Sequence, residues 1–229
     1  MKHKPLRTWA AAAALLLGMT GAAQAALVGS TSLVSFNTAS AGLGSQTLVD
    51  FESAVPGGVS FSGSTAVGLA PSVRNQAGLW NPSGTHFLGV DDAGNLDQFS
   101  SGDTLTFSFS SALRAFGLYV VAGSDVVEGD LSLSVGSTVL SNGPQSGALT
   151  DGAGSYAYFM GFVAGTPGDA FSSITLKSKG DFFFVFDVDD VVFTPAGKAS
   201  DVPEPQALSL ALLAACAAGA AGRRKSRPH

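Results

Sequence analysis

Residues 104–110 read Thr-Leu-Thr-Phe-Ser-Phe-Ser, and this stretch decides the fold class. Its apolar residues, Leu105, Phe107 and Phe109, alternate strictly with hydroxyl residues. Because successive side chains of a β-strand point to opposite faces, the alternation predicts an antiparallel strand with one face in the core and one face towards water. Residues 114–121 are nearly continuous in apolar residues and predict the next strand.

Similar short apolar runs recur on both sides of this stretch, separated by glycine and proline turn signals. Strands are predicted at residues 46–52, 59–62, 86–90, 104–110, 114–121, 131–135, 138–140, 156–164, 173–177 and 182–193. Residues 26–45 are expected to hold one short strand or helical turn, and residues 70–84 a loop. No sustained helical period occurs between residues 46 and 196, so the pattern predicts an all-β sandwich or barrel.

The charge balance of residues 26–203 excludes one class of partner. This part of the chain has five basic and sixteen acidic residues, a net charge of −11. Nucleic-acid binding depends on lysine and arginine contacts to phosphate, so no nucleic acid is expected as a partner. The single cysteine, Cys216, lies outside this range, so the predicted β-sandwich body, residues 26–198, has no disulfide.

The first 25 residues have the pattern of a secretory signal peptide. The positive residues at its start are Lys2, Lys4 and Arg7. Residues 9–18 form an apolar run that is too short for an ordinary membrane span. Ala23 and Ala25 supply the small-x-small cleavage pattern, which predicts a mature chain that starts at Ala26.

The end of the chain has three segments in a fixed order. The linker, residues 199–206, contains Val202-Pro203-Glu204-Pro205, whose prolines favour an extended backbone. Residues 207–222 carry no charge, and as a helix they would span about 24 Å, near the lower limit for a bilayer core. The basic residues of the tail, residues 223–229, are Arg223, Arg224, Lys225 and Arg227. The uncharged run predicts a transmembrane helix at 207–222. The positive-inside rule places the tail in the cytoplasm.

This order resembles the PEP-CTERM sorting signal of Gram-negative envelope proteins, which consists of a Pro-Glu-Pro motif, a short membrane helix and a basic tail. The resemblance implies processing near the motif by an exosortase, a membrane-embedded cysteine transpeptidase-like enzyme. It also implies transient anchoring in the inner membrane, followed by release to the cell surface or extracellular matrix. A structural or glycan-binding role is therefore expected, with exopolysaccharide as a candidate partner.

Residues 26–198 offer little for catalysis. Their single histidine, His86, lies in an apolar strand, and no Gly-x-Ser-x-Gly nucleophile motif occurs. A glycosidase mechanism needs a pair of carboxylates, and the sequence has enough acidic residues to form one, although it does not show that any two lie at the required separation. The candidates are Glu52, Asp91, Asp92, Asp97 and Glu128. We expect no enzyme, with a secreted hydrolase of surface polysaccharide as the alternative.

Acidic residues also lie at both ends of the predicted strand series. Phe51-Glu52-Ser53 ends an early strand, and residues 186–193 read Phe-Asp-Val-Asp-Asp-Val-Val-Phe. Strict alternation places Asp187 and Asp189 on the face of Val191 and Phe193, with Asp190 on the opposite face. If the strands pair, close like charges are costly, so protonation, exposure to solvent or a cation must offset them.

The two acidic motifs resemble those of jelly-roll carbohydrate-binding modules, which often open with Phe-Glu and close with an Asp-Asp-Val strand. The resemblance implies a jelly-roll β-sandwich and a structural calcium held by Glu52, Asp189 and Asp190, with Asp187 as an additional acid. It also implies sugar stacking on exposed aromatic residues, for which Trp80 is the first candidate. Tyr156 and Tyr158 are the next candidates, with packing in the core as the alternative for all three aromatic residues.

Overall fold

The computed structural model describes residues 27–75, 82–95, 97–148 and 154–197. In these ranges the chain forms thirteen strands and one α-helix, so the all-β prediction is confirmed. All strand pairings among them are antiparallel. The elements are β1 Leu27–Ser30, α1 Leu33–Ser40, β2 Thr47–Val49, β3 Val59–Ser64, β4 Pro71–Asn75, β5 His86–Val90, β6 Phe99–Ser100, β7 Thr104–Gly123, β8 Leu131–Val135, β9 Thr138–Ser141, β10 Gly147–Ala148, β11 Ser155–Ala164, β12 Phe171–Ser178 and β13 Val185–Pro195.

The other strands are arranged around β7. Its 20 residues include both strands predicted at 104–110 and 114–121, so their separation into two strands is wrong. The first half of β7 pairs with β3 on one side and β12 on the other. The second half pairs with β11 and β13. One strand therefore runs through two parts of the sheet.

β7 bends sharply near its middle. The rings of Phe107 and Phe116 are 5.2 Å apart, although nine residues of straight strand would separate their backbones by about 30 Å. Ser110, Ser111 and Ala112 lie between them and are exposed. The pairing of β7 with β12 also shifts register there. The bend therefore brings the inner faces of the two halves together.

The bend divides the sheet into two arms. The first arm consists of β3, the first half of β7, β12, β8 and β9. The second arm has β11, the second half of β7 and β13 at its centre. The free edge of β13 carries β2, β6 and β5, and β5 continues to β4. The free edge of β11 carries β1 and β10.

The main core lies between the inner faces of the arms. Leu105, Phe107 and Phe109 are buried, whereas the alternate residues Thr106 and Ser108 are partly exposed. The predicted alternation in this stretch is therefore confirmed. Residues from both arms belong to one continuous apolar cluster. Burial of this apolar surface is the main favourable term that holds the arms together.

Helix α1 covers the outer face of the second arm. Phe36 of the helix is fully buried, and its ring lies 5.3 Å from the ring of Phe159 on β11. The close approach depends on two glycines of the sheet. A Cβ on Gly161 would lie 2.8 Å from Cδ2 of Phe36, and a Cβ on Gly117 would lie 2.7 Å from Cζ of Phe159. Because Gly161 and Gly117 have no side chains, the sheet leaves room for the rings of Phe36 and Phe159.

Two further local predictions are wrong. The predicted loop at residues 70–84 contains β4, which pairs with β5 along its length. Pro71 is the first residue of β4, where a missing N–H group is tolerated. The last strand begins at Val185 rather than at residue 182.

Several predictions fall on residues outside the described ranges. These are the signal peptide at 1–25 with its cleavage residues Ala23, Ala25 and Ala26, the linker at 199–206, the apolar run at 207–222 and the basic tail at 223–229. Within the described part of the chain, no helix has the length and apolar character needed to cross a bilayer.

Replacing Gly161 with alanine tests the packing of α1 on the sheet. The new methyl group would meet the Phe36 ring at 2.8 Å and the carbonyl oxygen of Phe116 at 2.9 Å. We expect the free energy of unfolding to fall by about 1–3 kcal/mol, because overpacking forces side chains and backbone to shift. Urea denaturation of the full-length chain measures the change.

Gly57→Ala is the matched control, since a Cβ there meets no atom within 4 Å. It should change the free energy of unfolding by less than about 0.5 kcal/mol. Equal stability of the two variants would contradict the described contact between α1 and β11.

Candidate functional site

A β-bulge in β13 sets the direction of its acidic side chains. Asp189 pairs with Tyr119, and Val192 pairs with Gly117, so three steps along β13 match two steps along β7. Asp190 lies in this irregular stretch with a φ of +48°. Aspartate is one of the few residues other than glycine that adopts this left-handed conformation with some frequency. The bulge therefore reverses the alternation of β13 at Asp190.

The bulge keeps the apolar side chains of β13 on the core side along the whole strand. Those in the main core are Phe186, Val188, Val191 and Phe193. Asp187 and Asp189 consequently lie on the outer face of the second arm. The prediction that they share a face with Val191 and Phe193 is wrong, because strict alternation does not allow for an extra residue.

Ser83 joins Asp189 and Asp190. The Ser83 backbone N–H donates to Oδ2 of Asp189 at 3.0 Å. The Ser83 hydroxyl oxygen lies 3.2 Å from the same Oδ2 and 2.8 Å from Oδ1 of Asp190. The backbone N–H of Asp190 donates to Oδ1 of Asp189 at 2.8 Å. We call these three residues the Asp189–Ser83–Asp190 cluster.

This cluster favours a bound proton. A serine hydroxyl has one proton to donate. If Ser83 donates to Asp190, its contact with Asp189 is a hydrogen bond only when Asp189 is protonated and donates to Ser83. Burial raises the pKa of Asp189 to about 7, although hydrogen bonds from Ser83 and Asp190 act in the opposite direction. Burial also raises the pKa of Asp190, and the charge of Asp50 adds to the effect.

Asp187 lies on the same face but has its own hydrogen-bond partner, outside the Asp189–Ser83–Asp190 cluster. It is fully buried, and its Oδ2 accepts a hydrogen bond of 2.7 Å from Nε2 of Gln98. Its Oδ1 has no hydrogen-bond partner within the described structure. Burial raises the pKa of Asp187 well above its usual value, and the charge of Asp189 adds to this effect. The neutral acid is thus the favoured form, since an isolated buried carboxylate is costly.

Glu52 holds the other end of the segment that contains Ser83. Its Oε1 accepts hydrogen bonds from the backbone N–H groups of Thr85 at 2.5 Å and His86 at 2.6 Å. Its Oε2 lies 2.8 Å from Nδ1 of His86. The backbone hydrogen bond from His86 is the main reason that the pKa of Glu52 is lowered. Residues 83–86 are therefore tied to β13 at one end and to Glu52 at the other.

The acids predicted to hold calcium are divided among three sets of partners in the structure. Glu52 binds Thr85 and His86, Asp187 binds Gln98, and Asp189 and Asp190 bind Ser83. In the described ranges, no group of three or more His, Cys, Asp or Glu side chains is placed to hold a metal ion. The four carboxyls therefore do not fit one shared ion in this arrangement, and the calcium site stays a prediction from the sequence.

Three open cavities lie next to one another on the outer face of the second arm, with volumes of about 410, 450 and 350 Å³. Leu33 and Tyr119 line all three, so the cavities form one continuous depression, which we call the Tyr119 groove. Gln46 and Leu48 line only the first cavity, and Gln145 lines only the second. Asp190 lines the first and third.

Tyr119 occupies the middle of this groove. It pairs with Asp189 on β13 and with Phe159 on β11, so these three residues form a row across the second arm. The ring of Tyr119 meets the ring of Phe159 edge-on, with centroids 5.3 Å apart. Burial raises the pKa of Tyr119, and the charge of Asp190 adds to the shift. The ring is therefore fixed by packing while it remains partly exposed.

Sequence patterns alone do not single out Tyr119, because the residue lies within an apolar run that predicts a buried strand. A weaker signal is nevertheless present, since Ala115 and Gly117 precede Tyr119 at alternate positions. Two small residues and a tyrosine on one face indicate that a second element covers that face only in part.

The two tyrosines that the sequence does single out, Tyr156 and Tyr158, lie in or against the main core. Trp80 is outside the described residues. Tyr158 is buried, and its hydroxyl donates to the carbonyl oxygen of Val126 at 3.1 Å. Tyr156 is partly buried and packs against the main core. Both tyrosines thus follow the alternative in which they pack in or against the core.

No protein-family model matches the chain, and no curated protein matches it. Two solved structures show a loose likeness. One is the catalytic domain of a GH87 α-1,3-glucanase in complex with tetrasaccharides, with 16% identity, 70% of this chain and 30% of that chain covered, and a TM-score of 0.36. The other is the catalytic unit of a thermostable GH87 α-1,3-glucanase from Streptomyces thermodiastaticus strain HF3-3, with 15% identity, 63% and 28% coverage, and a TM-score of 0.31. The match spans less than a third of each glucanase chain, and this similarity does not inform the function of the protein.

The raised pKa of Asp189 predicts that stability falls as the pH rises. The folded state retains a proton up to a pKa of about 7, whereas an unfolded aspartate releases it near a pKa of about 4. Asp189 should therefore lower the free energy of unfolding by about 2–3 kcal/mol between about pH 5 and pH 8.5. Urea denaturation of the full-length chain across this range measures the loss.

Asp189→Asn removes this titration and should reduce the loss of stability with pH by that amount, while the raised pKa values of Asp187 and Asp190 keep the rest of the pH dependence. Asp181→Asn changes an exposed acid and is the matched control, which should keep the slope of the original chain. If Asp189→Asn and the original chain lose stability equally, Asp189 is already ionised in the folded state at low pH.

Proposed function

We propose that this chain is an exported protein of the Gram-negative cell envelope or extracellular matrix, sorted by a C-terminal signal of the PEP-CTERM type. The observation that carries the proposal is the order of Val202-Pro203-Glu204-Pro205, the uncharged run at 207–222 and the basic residues after it. The secretory pattern at residues 1–25 supports it, because both ends then require the body to cross the inner membrane.

The body in this proposal is a two-layer β-sandwich of jelly-roll type. The contact between Phe107 and Phe116 across the bend of β7 supports two facing layers. The contact of Phe109 with Phe193, with ring centroids 5.0 Å apart, adds a second link between the arms. Such a body needs no disulfide, because a domain of this size can bury an adequate core.

The body has a structural or glycan-binding role at the cell surface. The Tyr119 groove supports this role, since it combines a partly exposed aromatic ring with amide and carboxyl side chains in an open depression. Ligand sites in proteins are concave, largely apolar and supplied with a few polar groups. The candidate ligand is exopolysaccharide, and the processing partner is an exosortase.

Hydrolysis of surface polysaccharide is the weaker alternative. Glycosidases need a pair of accessible carboxyl groups on either side of the scissile bond. Among the candidates, Glu52 accepts hydrogen bonds from the backbone N–H groups of Thr85 and His86. Asp91 and Asp97 both bind the guanidinium group of Arg74, at 2.8 and 3.0 Å. These occupied carboxyls support binding without turnover.

Processing at both ends tests the sorting part of the proposal. Intact-mass analysis of the protein from its native host should give a chain that starts at Ala26 and lacks the basic tail. Changing Glu204 to alanine should leave the tail attached, because the resemblance assigns recognition to the Pro-Glu-Pro motif. Gln206→Ala lies just outside the motif and is the control that should still be processed. A mature surface protein that retains residues 223–229 would show that no exosortase acts on it.

Binding without cleavage tests the role of the body. The full-length chain, purified in detergent, should slow in gels that contain neutral polysaccharide and should release no reducing sugar from it. Steady release of reducing ends that stops when one carboxyl is changed would identify a hydrolase instead.

A further inference from the structure

We propose that the Tyr119 groove binds a segment of a neutral polysaccharide, with a sugar ring stacked on the ring of Tyr119. This inference rests on the proposed glycan-binding role and assigns a site to it. Tyr119 is suited to this contact because it lines all three cavities and is partly exposed. The C–H face of a sugar ring is apolar, so it gains from contact with an aromatic surface.

The ring of Tyr119 is held in place before any ligand arrives. It packs edge-on against Phe159, and Phe159 in turn packs against Phe36 of helix α1. A rigid aromatic side chain loses little conformational entropy when a ligand binds to it. The three packed rings therefore supply a fixed platform for stacking.

Polar side chains around this platform can bind sugar hydroxyl groups. Asn37 and Gln46 are exposed at the first cavity, and Gln145 is exposed at the second. Nε2 of Gln46 donates to Oγ of Ser40 at 2.9 Å, which fixes the orientation of this amide. Each amide can both donate and accept hydrogen bonds, which suits hydroxyl groups that also do both. Asp190 adds a carboxyl group that can accept from a sugar hydroxyl.

Charge selects a neutral ligand over an acidic one. Among the described residues that line the groove, Asp190 has the only acidic side chain, and none is lysine or arginine. Residues 26–203 carry a net charge of −11. An acidic polymer would meet this field without a basic group in the described lining to offset it.

The shape of the groove favours a polymer segment over a small molecule. Its three cavities are open and continuous, and each falls in the size range of about 300–1,000 Å³ that is typical of ligand sites. An open depression with separate polar groups at Gln46 and Gln145 allows a chain to enter at one end and leave at the other.

Affinity electrophoresis of the full-length chain in detergent tests this site. The probes are the neutral polysaccharides dextran, pullulan, galactomannan and xyloglucan, with polygalacturonate as the acidic comparison. At least one neutral probe should bind, and polygalacturonate should bind less tightly than that probe. Tyr119→Ala should weaken binding by about tenfold or more, as truncation of a central aromatic contact commonly does. Tyr119→Phe keeps the ring and should stay within about threefold of the original affinity.

Phe183→Ala is the matched control. Phe183 is an aromatic residue that is 68% exposed and lies outside the groove lining, so its removal should leave binding unchanged. Thermal unfolding of each variant shows whether it is folded. If Tyr119→Ala does not fold, Asn37→Ala decides the question, because it changes an exposed helix residue to a good helix former and should weaken binding.

The results of these experiments distinguish failure of the Tyr119 groove from failure of the glycan-binding role. Binding that survives both Tyr119→Ala and Asn37→Ala, or that is lost in Phe183→Ala, would overturn the groove while leaving a glycan-binding body. Tighter binding of polygalacturonate than of every neutral probe would overturn the neutral ligand. Binding to none of the probes would overturn the site and the glycan-binding role together. The sorting proposal would then still stand or fall on the mass of the mature chain.

Discussion

The bend in β7 determines how the other strands and the core are arranged. One strand supplies the centre of both arms, so its two halves must each present apolar side chains to the same core. Phe107 and Phe116 meet across that core although they belong to one strand. Every other strand that the structure describes joins this sheet directly or through a neighbour. The side chains on the outer faces of β7 do not belong to this core, so other elements can pack against them.

The outer face of the second arm is shaped by this constraint. Gly117 and Gly161 leave space for the rings of Phe159 and Phe36, so helix α1 can pack closely on one part of the face. Tyr119 lies where that cover is incomplete, and the groove forms around it. The bulge at Asp190 has a second effect, because it directs Asp187 and Asp189 out of the core without exposing them to solvent. Hydrogen bonds from Gln98 and Ser83, together with the protonation that burial favours, account for how the fold accommodates them.

The sequence predicted the fold class because alternation and turn signals are local. Leu105, Phe107 and Phe109 are buried as expected, and most predicted strands are present. The predicted strands at 104–110 and 114–121 leave a break where the bend of β7 lies. The sequence does not show that one strand continues through this break and folds back on itself, because the bend depends on the packing of its two halves. The bulge at Asp190 was missed because an extra residue in a strand leaves a weak local pattern. The sequence grouped Glu52 with the acids of β13, but it could not show that Ser83, Thr85 and His86 separate them.

The proposed polysaccharide site on the partly covered outer face of the second arm can be tested at Tyr119 itself. The chain has three tyrosines, Tyr119, Tyr156 and Tyr158, so ring-labelled tyrosine gives a simple NMR spectrum. Adding a neutral polysaccharide that binds the full-length chain should shift the Tyr119 ring signals, while those of the buried Tyr158 stay in place. Binding that leaves the Tyr119 signals unchanged would contradict a binding site at Tyr119.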